Sequence, residues 1–156
     1  MISAGVDGHI RIWKIETDHM QLVKDIKASN EHIMWASISH DDKQIVCGGR
    51  VPFVHLLNAK TGTEDAALVG HEDAIYRAEF SKDAGLVATV SGDAFVRIWD
   101  IATGNALFAL RLPTHSGYPV PLWDFSFQGT PEGRQWLAVP LTRGKVVIYD
   151  LGVVFG

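Results

Sequence analysis

Within residues 71–93 the chain carries His71, Thr89 and Asp93, an imidazole, a hydroxyl and a carboxylate. Nucleophilic hydrolases combine these same three groups. A hydrolytic hydroxyl, however, is commonly presented on a sharp G-x-S-x-G turn, and the sequence has none. The remaining histidines, His9, His19, His32, His40, His55 and His115, show no metal-ligand spacing. The run His40-Asp41-Asp42 reads as a solvated turn. Cys47 is the single cysteine, so it forms no internal disulfide and reads as a small core residue. No catalytic residue, metal site or cofactor is expected. Another reason must place a histidine, a hydroxyl and an aspartate near Trp99.

The elements that would hold these residues recur along the chain. The stretch VRIWDIATG (96–104) has counterparts in IRIWKIETD (10–18), VHLLNAKTG (54–62) and VVIYDLG (146–152). Their aligned positions, Trp13, Leu57, Trp99 and Tyr149, lie 44, 42 and 50 residues apart. A period in the forties is that of a four-stranded propeller blade. Upstream, IMWASISHDDKQIVCGG (33–49) aligns without a gap on IYRAEFSKDAGLVATVS (75–91), and LWDFSFQGTPEGRQWLAVPL (122–141) is a third copy with a longer turn. In the best-defined unit the strands read as 75–80, 86–90, 95–101 and 106–110. Short β-branched and aromatic runs are broken there at Asp83-Ala84-Gly85, Gly92-Asp93 and Thr103-Gly104. Asp7-Gly8 and Arg143-Gly144 close the corresponding hairpins, glycine supplying the positive φ. No segment keeps a helical period, so the fold class is all-β.

These residues resemble the WD-repeat β-propeller family. The third copy carries its pattern almost whole: Gly70-His71 before the first strand, FSKDAG after it, and TVSGDAFVRIWD at its end. The resemblance implies that His71, Thr89, Asp93 and Trp99 form one structural hydrogen-bonded cluster rather than a catalytic one. It places Ser3, Asp7 and Trp13 at the matching positions of the first copy, whose histidine would fall upstream. The second copy has Cys47, Val51 and Leu57 there, and the fourth has Val139, Arg143 and Tyr149. A buried indole or imidazole N–H must find an acceptor, so loss of the whole set in the second and fourth copies is the economical alternative to losing part of it.

The implied architecture is a partial propeller of three to four four-stranded antiparallel blades: blade remnants 1–27, then blades 28–70, 71–111 and 112–156. Family propellers usually have seven blades, and an open array would expose apolar faces and strand edges. Three explanations stay open: a piece of a longer chain, a homodimer, or a complex with another half-propeller.

The resemblance also implies a rigid platform for protein or peptide partners, bound on the face where the first strands begin and the second and third strands turn. Residues at equivalent places there are His32, Met34, Arg50, Tyr76 and Trp123, an aromatic and arginine set of the kind interface hot spots favour. Trp35 and Trp136 read as core or inter-blade fillers. The expected function is a non-enzymatic interaction scaffold, completed by self-association or by a larger chain or partner. The alternative is a regulatory or sensor region of a larger signalling enzyme.

Composition narrows the partners. The chain is 47% apolar and 21% charged, which fits a globular protein. The net charge is −4 and the Lys and Arg residues are scattered, so neither nucleic acid nor an anionic membrane is an expected partner. No basic-then-apolar leader opens the sequence, and a soluble, cytoplasmic protein is the expectation.

Overall fold

Apolar runs of this length, punctuated by turn residues, fold here as strands alone. A computed structural model describes residues 1–82, 84–112, 114–115, 118–119, 125–129, 135–140 and 146–152, and among them there is no helix. The first sheet contains β1 (Ile2–Ala4), β2 (His9–Ile15) and β3 (Met20–Lys27). The second contains β4 (Ile33–Ile38), β5 (Gln44–Gly49), β6 (Phe53–Asn58) and β7 (Glu64–Val69). The third contains β8 (Ile75–Phe80), β9 (Leu86–Ser91), β10 (Phe95–Asp100) and β11 (Ala106–Arg111). A short pair not expected from sequence, β12 (Thr114–His115) and β13 (Tyr118–Pro119), precedes the last sheet of β14 (Ser126–Gly129), β15 (Gln135–Pro140) and β16 (Val146–Asp150). In every sheet the strand order follows the chain, and each neighbouring pair is antiparallel. The chain is therefore all-β and builds successive propeller blades.

Alternation along each strand divides its side chains between two faces, and the interior follows that division. Ile45, Cys47 and Leu57 of the second blade pack with Ile10 and Ile26 of the first. Val46, Val54, Leu56 and Leu68 turn the other way, onto Ile75, Phe80, Val87 and Trp99 of the third. Ala88, Val90, Val96 and Ile98 then meet Phe125, Leu137, Val139 and Leu151 of the fourth. Among the described residues the core is thus three separate seams between blades. Each fully buried Ile or Leu contributes roughly 1.5–3 kcal/mol, so a seam outweighs any single hydrogen bond at its edge.

The repeat extends to irregularities. Pairing of the third and fourth strands slips at Ile12/Trp13, at Leu56/Leu57 and at Ile98/Trp99. Val23, Asp65 and Leu107 are the residues left over, each 42 positions from the last. The turns leaving the first strands also match. Ser39 Oγ accepts the Gln44 N–H at 2.9 Å, and Ser81 Oγ accepts the Leu86 N–H at 3.0 Å. At the hairpin after the second strand, Gly8 has φ 76°. In the third blade the same position is Ala94 at φ 66°, so the nearby Gly92 is not the residue that turns the chain. Asp83 and the Arg143-Gly144 turn lie outside the described residues.

Candidate interaction face and buried hydrogen-bond cluster

Gly70 and His71 end the connection between the second and third blades. Gly70 has φ 154°, and a Cβ there would sit 3.1 Å from the Trp99 ring. Glycine therefore lets the backbone lie on the indole and carry His71 inward, where its side chain is fully buried. Thr89 stands on β9 and Trp99 on β10, both facing the second blade. Asp93 sits in the turn between those strands. Trp99 Nε1–H donates to Thr89 Oγ at 2.8 Å. Thr89 Oγ lies 2.7 Å from His71 Nε2, and His71 Nδ1 lies 2.8 Å from Asp93 Oδ2. One set of protons satisfies all three contacts: indole to hydroxyl, hydroxyl to Nε2, and Nδ1–H to carboxylate.

Electrostatics agree with a neutral imidazole. Burial is the main influence holding the His71 pKa below its ordinary value, ahead of the Asp93 carboxylate, which pulls it up. For Asp93 burial pushes upward, yet hydrogen bonds from His71 and from the Phe95 and Glu72 N–H groups leave its pKa lowered overall. Arg97, which sequence reasoning missed, donates to Asp93 Oδ2 at 2.7 Å and lies against the His71 ring. A signal for it existed: an arginine four residues after the turn aspartate occurs in both the first and third copies (Asp7/Arg11 and Asp93/Arg97). The distances suit a nucleophile–base–carboxylate set, but Thr89 is 0% exposed and its oxygen already receives an indole proton. No substrate atom can reach it.

The first blade repeats this arrangement without the histidine. Trp13 Nε1–H donates to Ser3 Oγ at 2.8 Å, and Arg11 donates to Asp7 Oδ2 at 2.6 Å. Arg11 brings the Asp7 carboxyl down to about 2. In the second blade Cys47 and Leu57 are buried in the seam, and burial pushes the Cys47 thiol up to about 12. His55, four residues after Val51, takes the arginine's place and contacts Glu64 at 2.9 Å, while its buried Nε2 has no hydrogen-bond partner among the described residues. In the fourth blade Val139 is fully buried, and Arg143 lies outside the described residues. No group of three or more His, Cys, Asp or Glu among the described residues is disposed to hold a metal.

Four of the residues expected to meet a partner, His32, Met34, Arg50 and Tyr76, lie at one end of the second and third blades. Ile33 pairs with Gly49 and Trp35 with Gly48, which makes Met34 the extra residue of a bulge. In the third blade Ile75 pairs with Ser91 and Arg77 with Val90, so Tyr76 is the extra residue there. Bulges re-aim side chains, and Met34 is 55% exposed. Tyr76 is partly buried against the seam to the fourth blade, near Asp73 and Gly92. His32 and Arg50 are exposed in the flanking loops, and Gly49 lies against the His32 backbone. Trp123 lies outside the described residues. Trp35 does bridge blades: its Nε1–H donates to the Ile75 carbonyl at 2.8 Å, and its ring lies over Gly48. A hollow of about 320 Å³ between the first two blades opens at the opposite end, lined by Met1, Ile12, Ile38, Asp42, Ala59 and Lys60.

Comparison with known proteins gives the same architecture. Residues 62–100 match the family model described as WD domain, G-beta repeat. The chain is 36% identical over 102 residues to coronin-7 of Rattus norvegicus, covering 65% of this chain and 10% of that protein. It is 29% identical over 75 residues to the THO complex subunit 6 homolog of Danio rerio, covering 48% of this chain and 23% of that protein. The crystal structure of the WD40 β-propeller domain of Doa1 superimposes with a TM-score of 0.73 at 21% identity, covering 94% of this chain and 45% of that one. The chain thus spans less than a quarter of either relative and under half of the solved domain.

Proposed function

We propose that this chain, which carries a WD repeat at 62–100 and has the WD40 propeller fold, is a non-enzymatic scaffold for protein or peptide partners. Its docking face is the end of the blades that carries His32, Met34, Arg50 and Tyr76, and Trp123 is assigned to it by its repeat position alone. One observation carries this reading: two successive blades each spend a bulge on the second residue of the first strand, Met34 and Tyr76. A bulge costs ladder hydrogen bonds; here it leaves Met34 exposed in the blade that also exposes Arg50, and Tyr76 partly buried at the equivalent place of the next blade. The buried His71 cluster supports the non-enzymatic reading, because its hydroxyl is sealed. That one relative is named as a subunit of a complex fits a scaffold role.

The array is completed by a second copy, by another half-propeller or by further blades of a larger chain. Exposed apolar residues on the first blade, Ile15 at 62% and Leu22 at 45%, favour such a neighbour. The double variant Met34→Asp, Arg50→Glu tests the docking face, since both residues are exposed and the fold should survive. Proteins captured by the native chain are expected to be lost with the variant, their affinity falling about 30-fold or more if both positions are anchors. Unchanged capture by the folded variant would remove the face. A native mass near twice 17.1 kDa identifies the homodimer.

A further inference from the structure

The second blade buries an imidazole that its own residues leave half satisfied. Glu64 meets His55 Nδ1 at 2.9 Å. The His55 side chain is only 9% exposed, and its Nε2 has no hydrogen-bond partner among the described residues. A carboxylate keeps the proton of a neutral imidazole on the nitrogen that faces it, so Nε2 presents a lone pair. Nε2 is therefore a buried acceptor without a donor, an unfavourable state that native structures rarely tolerate. Neither residue belongs to the His71 cluster: His55 stands at the place of Arg97, and Glu64 comes from β7. The pair lies wholly within the second blade, whose four strands are all present.

Two rows of side chains build the corner around it. Cross-strand pairing sets His55 between Cys47 and Ala67, and in the next row sets Phe53 opposite Val69. Directly opposed residues share a face, here the one turned to the first blade, where Cys47 packs. Phe53 meets the imidazole edge-on, with centroids 5.0 Å apart. On the outer side Ala67 is exposed and Val69 is 70% exposed, so the approach to the corner is apolar. Glu64 and Asp65 follow on the same strand, and both are exposed.

We infer that this corner is a seat for a tyrosine side chain of a protein partner, whose hydroxyl donates to His55 Nε2. A phenol joins an apolar ring to a donor at its far tip. The ring covers Phe53, Ala67 and Val69 while the hydroxyl reaches the imidazole. Serine and threonine lack the ring, and the N–H of tryptophan lies on the flank of its ring rather than at the tip. Phe53, partly buried at the start of β6, turns aside to admit the phenol. Glu64 and Asp65 give the rim a negative charge, so the residues flanking the tyrosine are basic. The seat shares no residue with the docking face proposed above.

The probes are two synthetic peptides, acetyl-Arg-Tyr-Arg-amide and acetyl-Arg-Phe-Arg-amide, which differ by the phenolic hydroxyl alone. Added to the 156-residue chain, the tyrosine peptide should give saturable NMR shifts at the Ala67 and Val69 amides and move the His55 Nε2 resonance. The phenylalanine peptide should bind about tenfold more weakly, the scale of one hydrogen bond to a buried acceptor, and leave that resonance in place. His55→Phe keeps a ring and removes the acceptor, so it should bind both peptides alike. Val69→Lys changes an exposed position, repels the basic flanks and should weaken the tyrosine peptide. Circular dichroism checks that both variants are folded. Equal affinity of the native chain for the two peptides, no saturable binding at millimolar peptide, or an unmoved Nε2 resonance overturns the seat. So does a tyrosine preference that survives His55→Phe. If that variant does not fold, Val69→Lys decides, and unchanged affinity there overturns the seat.

Discussion

Thr89 is the hinge of the buried cluster because its one oxygen both receives a proton and passes one on. Thr89→Val removes the acceptor of a buried indole N–H and the donor to a buried imidazole together. An expected loss of about 2–4 kcal/mol follows from two stranded groups, read as a lowered urea midpoint at unchanged slope. Thr89→Ser keeps the hydroxyl and should cost roughly 1 kcal/mol, the buried methyl alone. Acid should act on the same residues. The folded pKa of His71 lies below its ordinary 6.5, so the unfolded chain takes up the proton first. This stabilisation is whole above pH 6.5 and drains as pH falls toward the folded value. Asp93, held below its ordinary 3.8, adds a second loss as pH falls further. Thermal midpoints across this range should show the first decline in the native chain and lack it in His71→Asn. At this scale the sequence spoke clearly of His71, Thr89, Asp93 and Trp99, because identical needs recur at identical spacing. Arg97 was hidden, because a charged residue within a strand looks solvated until its aspartate is seen beside it.

Blades are set by turns and by slips in pairing, and these two were unequally legible. Turns announce themselves through Gly, Asp and Ser. The strands expected at 75–80, 86–90, 95–101 and 106–110 match those found to within one residue. The bulge at Met34 was silent, since β4 is apolar on both faces; at Tyr76 the alternation of Arg77, Ala78, Glu79 and Phe80 does break, but one apolar pair at a strand start is too short a signal to mark a bulge. Ala94 shows a similar limit, for nothing in its type marks a left-handed residue. The conformational demand is firmest at Gly8, where φ is 76° and a Cβ would meet the Ser29 carbonyl oxygen. Gly8→Ala should destabilise the chain by more than about 1 kcal/mol. Amide exchange would rise first in β1 to β3, and an unchanged midpoint would show that the hairpin relaxes freely.

The whole molecule shows what repetition does to a chain's surface. Ile15, Leu22 and Trp13 lie on the face of the first blade turned away from the second, and Ile15 and Leu22 are exposed. If this face meets a neighbour, Ile15→Lys with Leu22→Lys should shift the native mass toward 17.1 kDa and raise solubility. A variant with the mass of the native assembly would place the contact elsewhere. The number of blades in the finished ring was never in reach of local pattern, because each seam involves only two neighbours.

That division of the interior also governs how the protein comes apart. Among the described residues no buried layer spans all the blades, so the outermost sheets can peel while the middle pair stays zipped. Heating would strip the array from its ends inward, like plates lifted off a stack. Any added sheet, whatever chain it came from, would act as a lid that quiets the one beneath it.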